Sequence, residues 1–131
     1  MKLLLDSHIF LWGLLEPQRL SERVAHELED DANELWLSPI TIWECLLLAA
    51  RGRVELRPDP RTWLRDQLAQ LRPTEAPINQ EVAFRSRELK LAHEDPADRF
   101  LVATAAIYEL TLVTADARLL KTREISVLAN K

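Results

Sequence analysis

The sequence predicts a three-layer α/β/α domain whose central sheet is mostly parallel. Three observations support this fold class. Short apolar runs of strand length alternate with longer segments of helical periodicity. No tight hairpin turn joins one apolar run to the next, so the strands are expected to be parallel and covered on both faces. The 131 residues include 25 Leu but only two Gly, a composition that favours one helix-rich domain spanning residues 1–131.

The first half of the chain contains two predicted strands, each followed by a helix. Asp6 or Ser7 is expected to cap the first helix, directly after an apolar strand. Ser38 at an N-cap, with Pro39 at the first helical position, predicts another helix start. The predicted elements are strands at 2–5 and 35–37 and helices at 7–15, 21–31 and 39 to about 51.

The second half continues the alternation. Asp95 and Pro96 form a strong helix start, since Asp is a favoured N-cap and Pro a favoured first residue. Residues 74–78 are a weaker strand candidate. The predicted elements are helices at 60 to about 71, 80–91, 96 to about 109 and 116–120, with strands at 74–78, 111–113 and 126–128.

Composition excludes several classes of protein. With two Gly, the chain has no glycine-rich phosphate loop. A single cysteine, Cys45, excludes a disulfide framework and a cysteine zinc site, and is typical of a reducing cytoplasm. The N-terminal apolar run ends at Asp6, too early for a signal peptide or a membrane span. The formal net charge of −4, taken at face value, argues against a nucleic-acid partner.

Four acidic residues occupy unusual places. Asp6 and Asp116 directly follow predicted strands, and Asp98 lies in the first turn of a helix. Each of these three has a structural alternative, because Asp is a common helix cap and favours helix N-termini. Glu44 lies in a helix that is apolar on almost every side, which predicts a buried carboxylate.

A buried Glu44 needs a partner. One alternative is a salt bridge to Arg19 or Arg99, and the other is a metal ion. Metal binding is favoured by topology, because residues beyond the carboxyl ends of parallel strands, and the helix starts nearby, share one sheet edge. Glu44 leans back toward the N-terminus of its helix and can reach the same edge.

Four acids gathered at one edge would repel one another. Two unit charges ~5 Å apart cost about 3 kcal/mol at an effective dielectric of about 20. An all-oxygen site without Cys or patterned His favours Mg²⁺ or Mn²⁺. Such sites suit hydrolysis of phosphodiesters, because the ion activates water and neutralises the leaving oxygen.

With these residues in place, the sequence resembles the PIN-domain ribonucleases, specifically the VapC-type toxins of toxin–antitoxin pairs. Four segments in the same order carry the resemblance, which spans almost the whole chain. They are LLLDSH at 3–8, LSPITIWE at 37–44, HEDPADRFLVATA at 93–105 and LVTAD at 112–116.

The resemblance implies a five-stranded parallel sheet, Mg²⁺- or Mn²⁺-dependent endonuclease action on RNA, inhibition by a cognate antitoxin, and a homodimer. It also implies roles for individual positions. Asp95 matches the motif but is expected to be a structural N-cap. The acidic quartet corresponds to Asp6, Glu44, Asp98 and Asp116, with Asp6 and Asp98 as direct metal ligands, and the polar positions lining the site correspond to Ser7, Ser38 and Thr114.

Several basic residues are candidates for RNA binding. Arg51 and Arg53 begin a cluster of five arginines between residues 51 and 65, and arginine binds phosphate through a bidentate fork. The alternative is a solvated face balanced by nearby acids. Arg99, beside Asp98, is expected to contact phosphate or to pair with a carboxylate of the site.

The histidines and tryptophans receive structural interpretations. His8 is expected to be packed and hydrogen-bonded, and His93 to lie on the surface. Trp36 and Trp43 fall in apolar segments and are expected in the core. Trp12 is a candidate for a dimer or antitoxin surface.

Three other functions compete with a ribonuclease. A receiver-like regulatory module would need paired acids after the first strand, where Asp6 stands alone. A phosphoesterase for small molecules would use the same metal site. A pure interaction protein would tolerate Asn and Gln in place of the four acids. Removing these four from the 21 Asp+Glu leaves 17, equal to the 17 Lys+Arg, so the whole net charge is expected to reside at the site.

Overall fold

One five-stranded sheet forms the centre of the computed structural model, which describes residues 1–131. The strands are β1 (Lys2–Leu5), β2 (Glu34–Leu37), β3 (Thr74–Glu75), β4 (Thr111–Thr114) and β5 (Ser126–Ala129). Their order across the sheet is β3-β2-β1-β4-β5, and every neighbouring pair is parallel. The predicted fold class is confirmed, and the sheet is parallel throughout.

Seven α-helices connect and cover the strands. They are α1 (Ser7–Leu15), α2 (Glu22–Glu29), α3 (Pro39–Ala50), α4 (Pro60–Leu71), α5 (Gln80–Glu88), α6 (Pro96–Tyr108) and α7 (Ala117–Leu120). A short 3₁₀ turn, Pro17–Arg19, follows α1 and was not predicted. None of the helices combines the length and the apolar character that crossing a bilayer would need.

Every one of these helices begins at a side-chain cap. In each case the oxygen of an Asp, Ser or Asn accepts a backbone N–H from the first turn, which satisfies a donor that the helix itself leaves free. The capping residues are Asp6, Ser21, Ser38, Asp59, Asn79, Asp95 and Asp116. The helix starts are therefore written locally in the sequence.

Hydrophobic side chains form one core on each face of the sheet. Leu3 and Leu5 of β1 belong to the core that packs against α1, α2, α3 and α4. Leu4 points the other way and joins the core formed with α5, α6 and α7. This alternation is the period of two expected for a strand covered on both faces, and it produces the three layers.

Helix α3 departs from the expected burial. Only Thr41 and Cys45 are buried in it, while Trp43 is 52% exposed and Leu46 39% exposed. The prediction that Trp43 lies in the core was wrong, because no other element covers the outer face of this helix. Trp36, by contrast, packs against the core on the α6 side.

Helix α5 ends three residues earlier than predicted, at Glu88. The Arg99 side chain accounts for this ending. Its Nε donates to the Ser86 carbonyl at 2.8 Å, and its Nη2 donates to the Leu89 carbonyl at 2.8 Å. These bonds satisfy carbonyls that the helix would otherwise use, so the chain leaves the helix and turns toward α6.

Candidate active site

The candidate site lies where β1 and β4 end. The strand order runs from β1 to β2 and β3 on one side and to β4 and β5 on the other, so β1 and β4 flank the point where the winding reverses. Ligands of open parallel sheets bind in the crevice at this point. The Asp6 N–H donates to the Val113 carbonyl at 3.2 Å, which joins the ends of the two strands.

Asp6 is held rigidly at the end of β1. Its Oδ1 accepts the Ile9 N–H at 2.9 Å, which caps α1, and the residue is only 8% exposed. Burial raises the pKa of the Asp6 carboxyl, although hydrogen bonding to Thr114 and Ile9 opposes the shift. Asp6 therefore both caps α1 and lies at the candidate site.

Asp116 follows β4 and caps α7. Its N–H donates to Thr114 Oγ1 at 3.1 Å, and its Oδ1 accepts the Arg118 backbone N–H at 2.9 Å. The Arg118 guanidinium adds Nε to Oδ1 at 3.3 Å and Nη2 to Oδ2 at 3.0 Å. This hydrogen bonding lowers the pKa of Asp116, so its carboxylate stays charged.

Asp98 lies in the first turn of α6, which the crossover brings to the same edge. It does not cap its helix, which corrects the structural alternative for this residue. Its Oδ2 lies 3.1 Å from His93 Nε2 and 3.4 Å from Arg118 Nη2. Burial raises the pKa of Asp98, the negative charges of Asp95 and Asp116 raise it further, and the contact with His93 opposes both.

Glu44 projects from the second turn of α3. No ion pair of the structure includes it, so the expected alternative of an Arg19 or Arg99 salt bridge is wrong. Burial and the charges of Asp98, Asp95 and Asp6 raise the pKa of Glu44 to about 7, while the Ser7 hydroxyl opposes the shift. A carboxyl in this state lacks a compensating cation.

These side chains line one cleft of about 380 Å³. Carboxylates dominate its polar lining, and Arg118 is the only Lys or Arg side chain among the lining residues. The wall includes Asp6, Ser7, His8, Trp12, Glu44, Asp95, Asp98, Asp116 and Arg118.

The chemistry of these donors fits a hard divalent cation. Carboxylate oxygens are the ligands that Mg²⁺ and Mn²⁺ favour, and no cysteine lines the cleft. In the present rotamers, no group of three or more His, Cys, Asp or Glu side chains is arranged to hold one ion. Two contacts explain this arrangement: Asp6 is turned toward the start of α1, and Arg118 ties Asp98 to Asp116.

The predicted polar positions divide between the cleft and its surroundings. Ser7 lines the cleft, and Thr114 lies fully buried beneath it, hydrogen-bonded to Asp116. Ser38 does not line it, which corrects that expectation. Ser38 Oγ caps α3 at the end of β2, one strand away from the β1–β4 boundary.

Two of the basic and imidazole predictions also need correction. Arg99 has only 5% of its side chain exposed and donates to backbone carbonyls, so it is unavailable to RNA and its only nearby carboxylate is Glu94, at 3.9 Å. His8 is exposed and lines the cleft, rather than being packed, because its position on α1 faces the opening.

His93 and Arg118 are site residues that the sequence reasoning missed. His93 was assigned to the surface, yet 16% of its side chain is exposed and it contacts Asp98. Arg118 received no role. Its spacing offered a signal, because a residue two positions after a capping Asp lies in the first helical turn, where its side chain can fold back onto that Asp.

The fold and cleft described above agree with a family comparison. A model of the PIN domain family matches residues 3–125. The chain belongs to the PIN-domain family, which confirms the resemblance inferred from its four motifs.

Individual proteins that are similar to this chain are more specific than the family as a whole. The chain is 39% identical over 117 residues, 88% of each chain, to Ribonuclease VapC22 of Mycobacterium tuberculosis. Among solved structures, VapBC2 from Rickettsia felis bound to a promoter DNA fragment is similar, with a TM-score of 0.76, 16% identity and 98% of both chains covered. A toxin–antitoxin complex from Klebsiella pneumoniae matches with a TM-score of 0.65 and 22% identity, covering 98% of this chain and 97% of that one.

Proposed function

We propose that this protein is a metal-dependent endoribonuclease, the toxin of a toxin–antitoxin pair. The observation that carries the proposal is the cleft, where four carboxylates from distant parts of the sequence, Asp6, Glu44, Asp98 and Asp116, line one opening at the reversal point of the sheet. The likeness to a relative named as a ribonuclease supports RNA as the substrate. Residues 1–131 act as one nuclease domain in this proposal.

The acids divide the work of holding an ion. Asp6 and Asp98 are proposed as direct ligands, with Asp116 and Glu44 completing the oxygen environment. When bound, Mg²⁺ or Mn²⁺ supplies a water of lowered pKa and neutralises charge on the scissile phosphate and the leaving oxygen. Ser7 and Thr114 orient carboxylates from behind through their hydroxyl groups.

The carboxyl groups of Asp116 and Glu44 differ in their affinity for a proton. Asp116 has a lowered pKa and remains a carboxylate. Burial and the neighbouring acids raise the pKa of Glu44 to about 7, so its carboxyl holds a proton far more readily than that of Asp116. Positive charge entering the cleft favours release of that proton.

A second groove beside the cleft offers a path for RNA. It shares His8 and Trp12 with the acidic cleft and carries Arg19 and Arg53 on its wall. Guanidinium groups bind phosphate oxygens through a bidentate fork, so Arg19 and Arg53 are proposed to hold phosphates of the RNA beside the acidic cleft. Arg51 does not line this groove; it is exposed at the C-cap of α3, two residues before Arg53.

The proposal includes two protein partners. A cognate antitoxin is supported by the structural likeness to a toxin–antitoxin complex, and a homodimer is supported by the uncovered apolar face of α3 that bears Trp43 and Leu46. The buried, unpaired Cys45 is consistent with action in the reducing cytoplasm.

The decisive experiment compares the wild-type protein with Asp98→Asn on three substrates. Structured RNA, DNA and a chromogenic phosphoester are each incubated with Mg²⁺, Mn²⁺ or EDTA. We expect wild-type protein to cleave RNA internally with either ion and not with EDTA. Asp98→Asn is expected to lower the rate by about a hundredfold or more, because it weakens both ion binding and charge neutralisation.

Asp66→Asn is the matched control, since Asp66 is exposed on α4 and outside the cleft. This variant is expected to retain wild-type cleavage. RNA cleavage that persists in EDTA or in Asp98→Asn would refute the metal mechanism. Turnover of the phosphoester without cleavage of RNA would favour a small-molecule phosphoesterase instead.

A further inference from the structure

Arg118 lies between two carboxylates of the cleft. Its Nη2 lies 3.0 Å from Asp116 Oδ2 and 3.4 Å from Asp98 Oδ2. Its Nε lies 3.3 Å from Asp116 Oδ1. One guanidinium therefore bridges two members of the acidic quartet, one from the end of β4 and one from the start of α6.

The bridge neutralises the negative charge of these carboxylates, as a bound metal ion would. Arg118 is the only Lys or Arg among the residues lining the cleft, and the other group on Asp98 Oδ2 is His93 Nε2 at 3.1 Å. Arg118 contacts both Oδ atoms of Asp116 and Oδ2 of Asp98, so an ion bound to Asp116 would need an oxygen that Arg118 now contacts, and an ion bridging to Asp98 would place like charge against the same guanidinium. Guanidinium and divalent ion are thus alternatives at these two residues.

Arg118 is also able to leave. Its side chain is 57% exposed, and it projects from α7, a helix of four residues at the surface. Because more than half of the side chain already faces solvent, the guanidinium can move outward and remain in water. Arg99 shows the opposite design, because 5% of its side chain is exposed and its donors are committed to backbone carbonyls.

We infer that Arg118 is a built-in counter-cation of the cleft, which neutralises Asp98 and Asp116 in the metal-free protein and is released from both when a divalent ion enters. This inference rests on the metal site of the proposed function. Arg118 acts here as a positioning residue. It occupies the two carboxylates until a divalent ion displaces it, and it thereby sets the affinity of the cleft for that ion.

The first test measures divalent-ion affinity by calorimetry. Mn²⁺ is titrated into wild-type protein, Arg118→Gln and the control Arg85→Gln. Arg85 lies on α5 outside the cleft and makes an exposed pair with Glu88, so its loss changes net charge equally. We expect Arg118→Gln to bind Mn²⁺ about three- to fivefold more tightly, the upper part of the range that partly exposed ion pairs support. Arg85→Gln is expected to match the wild type within about twofold.

The second test observes release directly in the wild-type protein, so it does not depend on any variant folding. The Nε–H of Arg118 is followed by NMR while diamagnetic Mg²⁺ is added. Hydrogen-bonded to Asp116, this proton is expected to exchange slowly with water in EDTA and to exchange faster at saturating Mg²⁺.

Three results would overturn the inference: equal or weaker Mn²⁺ binding by Arg118→Gln, an Nε–H signal unchanged at saturating Mg²⁺, or a wild-type protein that binds no divalent ion. None of these measurements uses RNA. Failure to cleave RNA would therefore refute the proposed function alone, while leaving the exchange of cations at Asp98 and Asp116 in place.

Discussion

The individual acids of the cleft differ because their neighbours differ. Asp116 receives three hydrogen bonds from the backbone and side chain of Arg118, and its pKa falls. Glu44 has no cation beside it and faces three other acids, and its pKa rises to about 7. The two carboxyl groups line the same cleft, yet their neighbours favour the charged form of Asp116 and the protonated form of Glu44.

Glu44 predicts how the stability of the metal-free protein depends on pH. The pKa of about 7 in the folded protein lies above the ordinary value of 4.5, so the folded state binds the proton more tightly than the unfolded state. The contribution of Glu44 to the free energy of unfolding is fully present below about pH 4.5 and is lost as the pH rises through about 7. We expect the urea midpoint in EDTA to fall between about pH 5 and about pH 8 by more in wild-type protein than in Glu44→Gln.

Glu55→Gln controls for the loss of one charge, because Glu55 is exposed. It is expected to keep the pH dependence of the wild type. An identical change in midpoint for wild-type protein and Glu44→Gln would show that Glu44 does not titrate in this range.

For individual residues, the sequence predicted which acids lie at the site better than it predicted what the side chains contact. Asp6 and Asp116 are recognisable because Asp6 follows β1 directly and Asp116 lies two residues after the end of β4. Arg99 was misjudged because it is adjacent to Asp98, yet successive residues of a helix point about 100° apart. Arg118 was missed because its partnership with Asp98 depends on where α6 lies beside β4, which local sequence does not report.

Among the elements, the segment between α5 and α6 depends on one buried side chain. Arg99 donates to the carbonyls of Ser86, Leu89 and His93 at 2.8, 2.8 and 3.3 Å. The segment carries His93 to Asp98 and leads into the cap of α6. Arg99 therefore acts on the cleft through the backbone, without touching it.

Removing this side chain is expected to be costly. Arg99→Met removes the donors of two buried hydrogen bonds, those to the Ser86 and Leu89 carbonyls, at about 1 to 3 kcal/mol each, so we expect a loss of about 3 kcal/mol or more in the free energy of unfolding. Urea denaturation measures it. Arg87→Met, which breaks an exposed pair with Glu94, is expected to cost about 1 kcal/mol or less. Equal losses in the two variants would contradict the role assigned to Arg99.

Helix starts were predictable, and helix ends and outer faces were less so. The caps at Ser38 and Asp95 are local sequence signals and proved accurate. The end of α5 depends on Arg99, which is distant in sequence. The outer face of α3 is apolar, and apolarity alone did not reveal that nothing in this chain covers Trp43.

For the whole molecule, charge is distributed unevenly. The four acids proposed to hold the ion, Asp6, Glu44, Asp98 and Asp116, equal in number the excess of 21 acidic over 17 basic residues. If they are set aside, positive and negative groups balance. Net acidity therefore does not argue against RNA as a substrate, because on this arrangement it belongs to the proposed ion site.

Removing one of these charges is expected to stabilise the metal-free protein. Asp6→Asn keeps the cap of α1, because an amide oxygen also accepts the Ile9 N–H, and it relieves repulsion by about 1 kcal/mol. We expect a higher Tm in EDTA and a smaller rise in Tm on adding Mg²⁺. Asp6→Ala separates the two effects, since it also loses the cap, at about 1 kcal/mol. A lower Tm in EDTA for Asp6→Asn would show that capping needs the charge.

The strand order has a consequence for the timing of synthesis. β1 is central and is made first, but its partner β4 begins at Thr111, and Asp116 follows. A ribosome must release nearly the whole chain before the ends of β1 and β4 can meet. At about 5 to 20 residues per second, the nascent protein carries Asp6 for several seconds without a cleft around it. Under the proposed function, the nascent chain can assemble its active cleft only when its own synthesis is nearly complete.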